Sequence, residues 1–151
     1  MRRVVVLHTL AGVLVAMLVI GGAATAQSAV PTNLRAFMTG QQVATQCLVA
    51  PCADPNGAGL VVLKVHKARV CYTIDVRRIK PARAASVHRG VRGVNGPIVV
   101  PLNAPTDGSS SGCVAIIPAL SKQLREHPGR YYVNVSNRPF PFGAIRGQLH
   151  R

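Results

Sequence analysis

The sequence predicts an all-β domain, an antiparallel β-sandwich or flattened barrel of about eight short strands with one short helix, behind an N-terminal signal helix. Three observations predict it. Apolar and polar residues alternate with period two from end to end, the alternating runs are separated by Gly- and Pro-rich links, and only one segment carries helical spacing.

The first element lies outside the fold. Met1-Arg2-Arg3 is a short positive segment, and Val4 to Ile20 is apolar apart from His8 and Thr9. Gly21-Gly22 and the small-x-small pattern Ala24-Thr25-Ala26 follow, so residues 1–26 read as a secretory signal peptide cut before Gln27. The surroundings of Arg2-Arg3 do not fit a twin-arginine signal, which leaves general secretion as the route. The rival reading is an uncleaved membrane anchor, since about 17 apolar residues is the lower edge of a spanning helix. A membrane is a partner only in that case. Residues 27–151 form one domain, long enough to bury a core.

Within that domain the first strand is expected near 33–39. "LVVLKVH" (60–66) sets Val61, Leu63 and Val65 on one face, and "RVCYTIDV" (69–76) sets Val70, Tyr72, Ile74 and Val76 inward. Lys67-Ala68 between them predicts a tight hairpin. Further strands are expected near 84–89, 97–101, 112–117, 130–136 and 143–149. The links are "PCADPNGAG" (51–59), "GVRGVNGP" (90–97) and the surface loop "NAPTDGSSSG" (103–112). The helix is expected in "PALSKQLREHPG" (118–129), with Ala119, Leu120 and Leu124 on one side and Pro128-Gly129 as its stop.

Export gives the four cysteines a structural meaning. Four cysteines in an exported domain read as two disulfides, with three possible connectivities. Cys47 and Cys52 in "CLVAPC" flank a Pro-containing turn and are expected to close a short loop, which leaves Cys71 with Cys113. Both of the latter face away from the core residues of their strands, so a bridge between neighbouring strands is geometrically reasonable. A four-cysteine metal site needs two close pairs, and Cys71 and Cys113 have no near partner.

The domain is strongly basic. Without Arg2 and Arg3 it holds 16 basic residues against 4 acidic, a formal charge of +12. A polyanion is the partner class this suggests, with Arg69, Arg77, Arg89 and Arg146 as candidate anion-binding residues. The basic residues are scattered, apart from Arg77-Arg78-x-Lys80, and no aromatic residues interleave with them. That pattern argues against specific nucleic-acid binding and for a solvated surface.

Two longer stretches carry a resemblance. "HRGVRGVNGPIVVPL" (88–102) and "GRYYVNVSNRPFPFGAIRGQL" (129–149) resemble the CHRD domain, the module named in chordin and widespread in secreted bacterial proteins. The resemblance covers about Arg35 to Leu149 and includes cysteines at Cys71 and Cys113. It implies a β-sandwich, an extracytoplasmic location and no established catalytic activity. Members commonly carry Ala-His-Ile-His-x-Gly and, later, Asn-Val-His. Here those three histidine positions are Ser86, His88 and Ser136. By parity the three share an outward face, where three imidazoles would make a plausible metal site. Serine hydroxyls are poor ligands for zinc or copper, and one imidazole does not hold either metal, so the site reads as vestigial and no cofactor is expected.

Other catalytic readings fail on spacing. Ser86 and His88 lie about 6–7 Å apart along one strand face, too far for a nucleophile to bond its base. No Gly-x-Ser-x-Gly elbow occurs, and Asp54, Asp75, Asp107 and Glu126 stand isolated. Asn134-Val135-Ser136 fits an N-glycosylation pattern, but on a strand that is coincidence. The expectation is therefore a secreted, non-enzymatic domain that binds an envelope or extracellular ligand or serves a structural role. The alternatives are a metal-dependent activity of superoxide dismutase type and polyanion binding through the arginines. No motif encodes the ligand or the oligomeric state.

Overall fold

A computed structural model describes residues 30–43 and 51–151. The expected signal peptide, and Cys47 with its expected bridge to Cys52, lie outside the described residues. Eight strands form in chain order: β1 (Thr32–Thr39), β2 (Ala58–Val65), β3 (Arg69–Arg77), β4 (Ala82–Arg89), β5 (Ile98–Leu102), β6 (Ser109–Ala115), β7 (Tyr131–Asn137) and β8 (Ile145–Gln148). One helix, α1 (Pro118–Glu126), stands between β6 and β7.

All strands join one antiparallel sheet in the order β5-β4-β7-β8-β1-β2-β3-β6. The sheet curls until its two edge strands nearly meet, giving the flattened barrel that the alternation predicts. A side chain from each of β3 and β6 crosses the seam. The Tyr72 hydroxyl accepts from the Asn103 backbone N–H at 2.8 Å, and Ser110 Oγ donates to the Asn103 carbonyl at 2.8 Å. Curling reduces the exposed edges that a flat sheet would offer to other chains.

The inward residues follow the predicted parity. Val61, Leu63 and Val65 of β2 and Val70, Tyr72 and Ile74 of β3 are buried against Leu34, Ala36 and Met38 of β1. Val87 of β4 and Val133 and Val135 of β7 close the core from the other half of the sheet. The β2–β3 hairpin is as tight as expected: Val65 pairs with Val70, and His66 N–H donates to Arg69 O at 2.9 Å.

Two local expectations change. Ser109 to Gly112, read as part of a loop, belong to β6, because they pair with β3 from Tyr72↔Gly112 to Asp75↔Ser109. A serine run has no intrinsic strand preference, and the partner strand makes it extended. In α1, Ala119 is exposed and the buried side comprises Leu124 and Ser121, with Leu120 partly covered. Ser121 Oγ donates to the His66 carbonyl at 2.5 Å, which ties the helix to the β2–β3 turn. The helix also ends at Glu126, and Pro128–Arg130 form a separate 3-10 turn.

Cys71 and Cys113 are directly opposed on β3 and β6 and are disulfide-bonded, with a Cα–Cα distance of 3.9 Å and a sequence separation of 42 residues. The bond joins the edge strand β6 to the sheet from the outer face.

Candidate functional site

The outer face of β4, β7 and β8 is where polar chemistry gathers. Along β7 the inward residues alternate as expected, yet Tyr132 and Asn134, which point outward, are also buried. The cover is the β4–β5 loop, Gly90 to Pro97, folded back over the sheet. Its glycines permit the close approach. A Cβ on Gly90 would stand 3.0 Å from the Tyr132 ring, and one on Gly96 would collide with the Arg89 carbonyl.

Register sets the rows beneath this loop. Ser86 of β4 pairs with Asn134 of β7, which pairs with Arg146 of β8. The next row is His88, Tyr132 and Gln148. Ser86 is 7 % exposed, Asn134 8 % and Arg146 4 %. His88 is half-buried and stacks on Tyr132 with ring centroids 4.9 Å apart. The Arg146 guanidinium lies 4.0 Å from the centroid of the same ring, in cation–π contact.

The hydrogen bonds fix the histidine tautomer. His88 Nδ1 lies 2.8 Å from the Gly96 carbonyl, which can only accept, so Nδ1 carries the proton. Nε2 is then bare and accepts from Ser86 Oγ at 2.8 Å. Gly96 N–H in turn donates to the Tyr132 hydroxyl at 3.1 Å, and Arg146 Nη2 donates to Asn95 Oδ1 at 2.7 Å. The loop is thus pinned to the sheet at Asn95 and Gly96. Burial lowers the His88 pKa from its ordinary 6.5; the bond to Gly96 O pulls it up, and the Arg146 charge pushes it down.

The contact between Ser86 and His88 corrects the expected separation. A spacing of 6–7 Å along a strand describes backbone positions, whereas a hydroxymethyl and an imidazole leaning together close the gap. The irregularity between Val87 and His88 leaves Val99 of β5 as the extra residue, while β4 keeps its regular register with β7 there. The geometry is that of a serine with its base, oriented by a backbone carbonyl.

Ser86, His88 and Ser136 do share the outer face, but they do not converge. Ser136 pairs with Ala84, one row beyond Ser86 and two rows from His88. Two rows amount to about 13 Å along the strands, too far for imidazoles at both ends to hold one ion. Among the described residues no group of three or more His, Cys, Asp or Glu could hold a metal.

The four candidate arginines are also dispersed. Arg69 and Arg77 are exposed at opposite ends of β3, and Arg89 is exposed at the end of β4. Arg146 faces outward as parity requires, yet the Gly90–Pro97 loop buries it, so it is no part of a solvated basic surface. Sequence reasoning missed Tyr132, Asn134 and Gln148 as members of this cluster. The available signal was three glycines within "GVRGVNGP", a spacing that lets a loop lie flat on a sheet.

Among the described residues no helix is long and apolar enough to cross a membrane. The model of the family described as CHRD domain matches residues 34–149, nearly all of the sheet. No curated protein and no solved structure matches the chain.

Proposed function

The chain belongs to the CHRD domain family, and from that membership we propose that it is an exported, non-enzymatic domain that binds a ligand or serves a structural role at the cell envelope or outside the cell. The observation that carries the reading is the sealed state of Ser86. The residue is 7 % exposed, its hydroxyl already donates to His88, and β4 is paired on both sides of it, with Pro101 of β5 and Asn134 of β7. Strand pairing on both sides takes up the backbone donors that an oxyanion would need. The Ser86–His88–Gly96 chain supports a role in holding the loop, rather than attacking a substrate.

Export is supported by the charged, apolar and small-residue order of residues 1–26 and by the Cys71–Cys113 bond, which persists in oxidising compartments. One experiment tests both parts. Protein expressed from its full sequence is recovered from the extracytoplasmic fraction and exposed to a fluorophosphonate. The expected product begins at Gln27 and carries no label. Label on Ser86 that vanishes in Ser86→Ala would defeat the non-enzymatic reading, and retention in the cytoplasm with residues 1–26 intact would defeat export.

A further inference from the structure

A guanidinium with no carboxylate lies beneath the Gly90–Pro97 loop. The sequence has only four acidic residues, and the single ion pair among the described residues is Lys122–Glu126, on the surface of α1 at 4.0 Å. Arg146, 4 % exposed, meets instead the neutral Asn95 Oδ1 and the Tyr132 ring. Its Nε and Nη1 are buried without an acceptor. The Oδ1 of Asn134, its neighbour across the β7–β8 ladder, is buried without a donor. The Asn134 amide is oriented by Nδ2, which donates to Phe142 O at 3.2 Å, and Oδ1 lies against Gly143, where a Cβ would stand 2.5 Å from it.

We propose that Arg146 and Asn134 form a binding site for a small oxyanion that keeps one O–H, such as hydrogen phosphate or bicarbonate, with Asn95 as its removable cap. The unpartnered atoms define that chemistry. Two nitrogens of a buried cation, Nε and Nη1, call for an anionic acceptor, and the unpaired Asn134 Oδ1 on the neighbouring strand, which neither nitrogen reaches, calls for a donor. Chloride supplies no donor, a fully ionised carboxylate would turn an oxygen against Asn134 Oδ1, and water leaves the charge uncompensated. Burial lowers the Arg146 pKa, as expected of a cation without a counter-charge.

Asn95 Oδ1 occupies the position on Nη2 that an anion oxygen would take. Residues 91–95 are exposed, and Gly93 adopts φ +82°, so the loop tip is free of core packing and can lift while Gly90 and Gly96 serve as its ends. Ser86 stands in the same row as Asn134 and Arg146, and His88 in the adjoining one. The inference rests on the reading of the domain as a non-catalytic binder and names the ligand class of that face.

The test is a titration of the mature protein, residues 27–151, followed by the Arg146 Nε–H resonance, with sodium phosphate, sodium bicarbonate and sodium chloride at matched ionic strength. Saturable shifts of Arg146, Asn95 and Gly96 with phosphate or bicarbonate but not chloride are expected, and the tighter of the two identifies the anion. Asn95→Ala removes the competing acceptor and should tighten binding about tenfold. Asn134→Asp supplies a counter-charge from within and should abolish binding while the fold is kept. An Arg146 signal unmoved by both oxyanions, shifts that chloride reproduces, or an Asn95→Ala variant with unchanged affinity would each overturn the site. None of these outcomes bears on fluorophosphonate labelling or export, so the two readings fail separately.

Discussion

Cys71 and Cys113 can be replaced by serine with little loss of packing, because one is half-buried and the other exposed on the outer face. What the double variant loses is the covalent closure of the chain. The separation is 42 residues, and for a loop of that size the chain-entropy relation gives about 4 kcal/mol. A domain of this length loses about 2 kcal/mol of stability per molar urea, so the unfolding midpoint should fall by about 2 M, with a slope no shallower than the parent's because the uncrosslinked unfolded chain expands. Urea titration followed by far-ultraviolet circular dichroism reads both quantities. Without the bond, β6 is still held to β3 by the ladder from Arg69↔Ala115 to Asp75↔Ser109. A midpoint change below about 0.5 M would show that the unfolded chain gains little freedom and refute the entropic account. A shallower slope would show that the edge strand had left the sheet.

Two further outcomes follow from the outer face. The His88 pKa is lowered in the folded state, so the neutral ring is favoured there. Its contribution is complete above about pH 6.5 and is lost as pH falls through the lower folded value, by at most about 1.4 kcal/mol per pH unit. Urea midpoints at about pH 7.5 and about pH 5 should therefore differ more for the parent than for His88→Gln, and a larger difference in the variant would contradict the burial. Ser86→His combined with Ser136→His should not assemble a three-imidazole zinc site, because Ser136 pairs with Ala84, two rows from His88. Submicromolar zinc affinity in a competition assay, lost with His88→Ala, would show that the β4–β7 register is wrong.

Much of the sheet was legible because alternation reports which side of a strand meets the core. Val61 to Val65 and Val70 to Ile74 face inward as their period requires, and the same parity set Cys71 and Cys113 on the outer side, where they pair. Alternation says nothing of what lies on the polar side. Tyr132, Asn134 and Arg146 occupy outward positions and are nonetheless buried, because a loop from 35 or more residues earlier in the chain returns over them. The bond from Ser86 to His88 was hidden for a related reason, since strand spacing measures backbones and not the reach of two leaning side chains. The serines of β6 read as loop for want of intrinsic preference, and only β3 makes them a strand.

Ser86 and His88 belong to the hydrogen-bonded chain that fastens the Gly90–Pro97 loop to the sheet. Long-range proton–nitrogen correlation of the His88 ring tests it most directly. The expected result is a neutral imidazole at about pH 7 with its proton on Nδ1, facing Gly96 O, and no change when one equivalent of zinc is added. A ring carrying its proton on Nε2, or nitrogen shifts that move on adding zinc, would contradict it.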